Sequence, residues 1–150
     1  SEMCIRDSAQ ADYDADGKTD VAVFRPSEGR WYILQSSDGL LIRQFGLTGD
    51  RPVQADYDGD GKADLAIFRP STGQWWVEQT SSGVGVTQFG LSGDIAAPAD
   101  YDGDGKTDIA VFRPSTGVWY AILSGNQTFL IRQWGLAGDT PVPAINLASQ

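Results

Sequence analysis

The chain has 150 residues, 41% hydrophobic and 11% aromatic, enough for one domain with a core. Its formal net charge of -9 argues against a nucleic-acid or anionic-membrane partner, and no apolar run approaches the ~18 residues that span a bilayer. Histidine is absent and Cys4 stands alone, which removes the commonest general base, any Ser-His or Cys-His nucleophile, and any intrachain disulfide.

Residues 1–8 read SEMCIRDS and match nothing that follows. The segment lacks the apolar core of a signal peptide. It resembles a translated sequencing-library adapter, and on that reading Cys4 is not native.

From residue 9 onward the chain is a repeat domain. Asp12, Asp56 and Asp100 open near-identical units 44 residues apart. The units cover residues 11–54, 55–98 and 99–143, and residues 144–150 begin a partial fourth. Each unit predicts four short strands. In chain order the first runs roughly from Ile95 to Tyr101, and an aspartate loop follows. The second spans Ile109 to Arg113 and ends at Pro114. A turn at Ser115-Thr116-Gly117 leads to the third, Val118 to Leu123, rich in aromatic and β-branched residues. Ser124 to Gln127 turns the chain into the fourth, Phe129 to Trp134. No segment keeps a 3.6-residue apolar period, so helices are not expected. Four strands in about 44 residues is the size of one β-propeller blade. The expected fold is all-β: three tandem four-stranded blades forming a partial β-propeller. An open stack of small sheets or a β-solenoid is the alternative. Three blades fall short of the about 4 to 8 of complete propellers. The expected outcomes for such a piece are marginal stability alone, self-association through exposed blade faces, or dependence on missing repeats.

The aspartate loops carry the chemistry. The first supplies Asp12, Asp14, Asp16, Lys18 and Asp20, and the second Asp56, Asp58, Asp60, Lys62 and Asp64. The third supplies Asp100, Asp102, Asp104, Lys106 and Asp108. The aspartates fill places one, three, five and nine of each loop, where alternate residues of a tight turn aim oxygens at one centre. Gly105 at place six permits the positive φ that such a turn needs. Lys106 at place seven offers its backbone carbonyl, with its ammonium in water. An oxygen-only set of about seven ligands suits Ca²⁺ better than Mg²⁺, so three Ca²⁺ sites are expected. Place four varies, as Ala15, Gly59 and Gly103, and it supplies no side-chain ligand. An EF-hand would carry Glu at place twelve, but Val23, Ile67 and Val111 stand there. The competing reading is a polar hairpin whose aspartates cap backbone N–H groups. The loops hold 12 of the 20 acidic residues, and three Ca²⁺ would take the net charge from -9 to -3.

Residues 11–143 resemble the FG-GAP or VCBS-type repeats of integrin α-subunit propellers and of many secreted bacterial proteins. The D-x-D-x-D-G-x-x-D loops carry the likeness, with Phe45-Gly46, Phe89-Gly90 and Trp134-Gly135 before each new unit. The resemblance implies a calcium-binding loop in a blade hairpin and an extracellular or cell-surface location. Phe112-Arg113-Pro114-Ser115 and its counterparts replace the family's "GAP" part.

Two further features recur. Trp31-Tyr32, Trp75-Trp76 and Trp119-Tyr120 are strand neighbours whose rings point to opposite faces. One ring of each pair can pack between blades, and the other can stack on a sugar. Arg25, Arg69 and Arg113 are expected to pair with a loop carboxylate or with a carbonyl in the next blade. The predicted role is a calcium-binding interaction module with a protein or glycan partner. A lectin-like propeller is the alternative. No nucleophile–base pair points to an enzyme, and carboxylate clusters repeated identically are unlike a glycosidase site.

Overall fold

The computed structural model describes residues 9–142. The segments 1–8 and 143–150, with the adapter-like start and the partial fourth unit, lie outside the described residues. Among those described there is no helix, and none is long and apolar enough to cross a membrane.

Eleven strands form three antiparallel sheets. The first holds β1 (Val21–Arg25), β2 (Arg30–Gln35) and β3 (Gly39–Gln44) in that order. The second orders β4 (Arg51–Pro52), β5 (Leu65–Arg69), β6 (Gln74–Gln79) and β7 (Gly83–Gln88). The third repeats the second with β8 (Ile95–Ala96), β9 (Ile109–Arg113), β10 (Val118–Ile122) and β11 (Phe129–Gln133). β4 and β8 come from the end of the preceding sequence repeat, so each sheet is offset from the repeat that names it. In the first sheet the matching position falls before residue 9. Its bonding pattern is nonetheless kept, because the amide of Ala9 donates to the Ala22 carbonyl as Val53 does to Ala66 and Ala97 to Ala110.

The predicted Ile95–Tyr101 strand is much shorter than expected. It ends at Ala96, and Ala99 keeps only an isolated bridge to Asp108. The cause is a bend closed by a side chain: the Tyr101 hydroxyl donates back to the Ala97 carbonyl at 2.7 Å. Tyr57 does the same to Val53 at 2.6 Å and Tyr13 to Ala9 at 2.5 Å. The other boundaries move by one residue. Leu123 leaves the third strand to donate to Thr128 in the turn, and Trp134 leaves the fourth to donate to Gly117.

That last bond explains the glycine in each Pro-Ser-x-Gly turn. Gly29 has φ +65°, and a Cβ there would lie 2.3 Å from the Gly46 carbonyl oxygen. Only glycine lets the turn approach the aromatic-Gly pair so closely. Trp31 Nε1 then donates to the Phe45 carbonyl at 2.8 Å, which ties the pair to the third strand. Each unit thus uses its aromatic-Gly pair to lock its own hairpin.

The core lies between sheets. Trp31, Phe24 and Ile33 of the first sheet pack with Leu65 and Ile67 of the second. Trp75 and Phe68 of the second pack with Val111 of the third. Alternation along β2 buries Trp31 and Ile33 and leaves Tyr32 half-buried. β5 is buried on both faces because it is sandwiched between neighbouring sheets. Each fully buried side chain of this size contributes about 1.5–3 kcal/mol.

Candidate metal centres

The aspartate loops join the bend after the first strand to the start of the second. In each loop three carboxylates converge. Oxygens of Asp12, Asp14 and Asp20 lie within 4.8 Å of one another. The same spacing holds for Asp56, Asp58 and Asp64, and for Asp100, Asp102 and Asp108. These are places one, three and nine. The place-five residues Asp16, Asp60 and Asp104 stand beside the triads, and each accepts a hydroxyl, from Ser36, Thr80 and Ser124 respectively. Lys18, Lys62 and Lys106 at place seven are exposed, and their amides donate to the place-five carboxylates.

Backbone geometry shapes the loop. Asp12 accepts the amides of Ala15, Asp16 and Gly17, which wraps the chain around its carboxylate. Asp20 is buried and accepts the amides of Tyr13 and Ser36. Capping and convergence therefore coexist: the same carboxylates that hold the turn also face one another. Such acidic crowding is tolerated when a cation neutralises it. The donors are all oxygens, which suits a hard cation.

Place four adopts a left-handed conformation in every copy, with φ +64° at Ala15, +81° at Gly59 and +77° at Gly103. At Gly59 the absent side chain leaves room for the stem of Lys106 from the next loop. Successive loops are also tied by backbone. The Ala63 amide donates to the Asp12 carbonyl at 2.8 Å, and the Thr107 amide to the Asp56 carbonyl at 2.9 Å.

A second layer is supplied by the turn after the third strand, which sequence reasoning passed over. Ser37 donates through amide and hydroxyl to Asp14 Oδ2, and Ser81 does so to Asp58. The third copy has Gly125, which offers Asp102 only its amide, at 2.9 Å. The signal was present as a Ser-Ser, Thr-Ser and Ser-Gly pair in register after each third strand.

The electrostatics follow this layer. Burial raises Asp58, yet the hydrogen bonds from Ser81 and from Asp60 override it and hold the carboxyl at about 2. The Ser37 hydroxyl likewise lowers Asp14. At Asp102 the Gly125 amide lowers the pKa, but desolvation, Asp104 and the charge of Asp108 together leave it raised. Asp64 is pushed up to about 6, by burial first and then by the charges of Asp58 and Asp56.

The arginines do not pair as expected. Arg69 Nε and Nη2 reach both oxygens of Asp50 at 2.8 Å, and Arg113 does the same to Asp94. These acceptors lie in the Gly-Leu-x-Gly-Asp turn of the preceding unit, not in an aspartate loop or the next blade. Asp50 also accepts the Leu47 amide, so one buried carboxylate fixes its own turn and clamps the next blade. Arg25 instead contacts Glu28 and Tyr32.

The aromatic pairs divide their labour. Trp31 and Trp75 are fully buried. Their neighbours carry guanidinium groups on a ring face: Arg25 over Tyr32 at 4.5 Å, Arg69 over Trp76 at 5.2 Å, and Arg113 over Tyr120 at 4.5 Å. One face of each of these rings therefore carries a guanidinium.

Fold and loops together define an all-β tandem-repeat protein with one acidic, metal-competent loop per repeat. Residues 12–67 and 56–111 match the FG-GAP-like repeat family, and the chain belongs to that family. Comparison with curated proteins and with solved structures gave no match.

Proposed function

We propose that the protein is a calcium-binding β-propeller repeat module, with a structural or protein-interaction role and no catalytic one, in a secreted or cell-surface protein. The carrying observation is the carboxylate triad, formed three times by the same places of the loop. In each loop the triad would hold the ion, and Asp16, Asp60 or Asp104 with the carbonyl of Lys18, Lys62 or Lys106 would complete the shell. A flexible set of this kind favours Ca²⁺ over Mg²⁺, which demands near-octahedral geometry. Extracellular modules bind calcium at roughly 10⁻⁴–10⁻³ M, the range that the outside of a cell supplies. The ion's task is to neutralise the crowded carboxylates and so hold the loops that tie one blade to the next. The half-burial of Tyr32, Trp76 and Tyr120, each with a guanidinium on one ring face, favours this reading over a lectin-like one.

Binding to the folded state alone adds ~2.7 kcal/mol per site at one hundred times Kd. Chelation should therefore lower the melting temperature sharply, and Ca²⁺ should restore it better than Mg²⁺ does. An identical melting curve with and without EDTA would count against the proposal.

A further inference from the structure

Each internal blade junction carries one peptide unit between two acidic loops. The Ala63 amide of the second loop donates to the Asp12 carbonyl of the first at 2.8 Å, and the Thr107 amide of the third to the Asp56 carbonyl of the second at 2.9 Å. Donor and acceptor hold the same places both times: place eight gives and place one takes. Neither is an idle position. Asp12 and Asp56 open their triads. Ala63 and Thr107 stand directly before Asp64 and Asp108, the buried closing members of the next triads.

The amide at place eight shares its peptide plane with the place-seven carbonyl, that of Lys62 or Lys106. A trans peptide is planar and rigid, so its C=O and N–H point in opposite directions. Under the calcium reading that carbonyl completes the shell of its own loop. One plane then faces its own loop with its oxygen and the neighbouring loop with its hydrogen. Whatever orients the oxygen also orients the hydrogen, and charge drawn toward the oxygen strengthens the hydrogen bond on the far side. In the other direction, an ordered Asp12 or Asp56 fixes the carbonyl that holds the plane. The later junction has a second tie, because a Cβ at Gly59 would lie 3.2 Å from Cγ of Lys106. The scheme links the first loop to the second and the second to the third. It does not link the first to the third.

We infer that Ca²⁺ binding is cooperative between adjacent loops, the Lys62–Ala63 and Lys106–Thr107 peptide units passing the order of one filled loop to its neighbour. This coupling rests on the calcium reading and concerns the regulation of the same sites. It is reciprocal, and each filled loop raises its neighbour's affinity by at least about fivefold.

Equilibrium dialysis of the full chain against graded Ca²⁺ tests it. The unaltered chain should take up three ions with a Hill coefficient above unity. Place three makes neither bridging bond, so a site can be emptied there with both bridges intact. Asp14→Ala and Asp102→Ala each leave two adjacent loops and should keep cooperative uptake of two ions. Asp58→Ala empties the loop that touches both others. It should leave two ions bound independently, at least about fivefold more weakly than in the unaltered chain. Ala63→lactic acid turns the amide into an ester and deletes only the N–H. It should keep all three ions, lower the Hill coefficient and leave the circular dichroism spectrum unchanged. Three ions taken up independently by the unaltered chain overturn the inference while the calcium reading stands, and no saturable uptake overturns both. Equal cooperativity in the three alanine variants, or an ester variant that titrates like the unaltered chain, also overturns the inference.

Discussion

Arg69 grips Asp50 with two parallel hydrogen bonds of 2.8 Å, across the junction between the first and second blades. The carboxylate is buried and the guanidinium largely so. The bond to Asp50 is the first cause that raises the Arg69 pKa. Removing the anion would leave a cation against a desolvated wall. Asp50→Ala should cost about 3 kcal/mol, and Arg69→Lys should also destabilise, because an ammonium cannot reproduce the planar fork. Urea denaturation of both variants measures this. A loss under half a unit of that scale for Asp50→Ala would show the clamp to be ornamental.

Ala15 is the one non-glycine residue at place four, and its φ of +64° is a left-handed conformation. A Cβ there costs roughly 1–2 kcal/mol in strain, offset in part by the freedom glycine gains when unfolded. Ala15→Gly should therefore stabilise the protein by about 0.5–1 kcal/mol. Thermal denaturation in Ca²⁺ checks the sign, and a destabilised variant contradicts the strain.

Metal-free protein should show an inverted acid profile. Asp64 titrates near 6 when folded, above its ordinary 3.8. A raised carboxyl binds more protons folded than unfolded, so stability falls as pH rises from about 4 to about 6. Asp58 does the opposite: held at about 2, it contributes stability that is lost as pH falls from about 4 toward 2. In EDTA the melting temperature should thus peak near pH 4. Ca²⁺ removes the penalty at Asp64 and should move the optimum above 6. Ser81→Ala should raise the Asp58 carboxyl and flatten the acid limb. A metal-free chain whose stability climbs steadily from pH 4 to 6 would contradict the account of Asp64.

Much of this was legible in the sequence, for a physical reason. The strands from Ile109 to Arg113 and onward follow local rules of β-branching, proline stops and glycine turns. The triads follow from the odd-numbered spacing of aspartates within one loop. What escaped was non-local. Asp50 lies 19 residues from Arg69, and Ser37 lies 23 from Asp14, so only the folded sheet brings them together. Tyr101 looked like strand and proved to be the latch of a bend. Val23 and Ile67 occupy equivalent places, yet one is exposed and the other buried, because burial there depends on the neighbouring blade.

The central claim is that each loop holds one calcium ion. Isothermal titration of chelator-stripped protein with Ca²⁺ tests it most directly. The account predicts three ions per chain, and two for Asp64→Asn, the loss confined to the second triad. Absence of saturable uptake at millimolar Ca²⁺, or a count unchanged by Asp64→Asn, would contradict it.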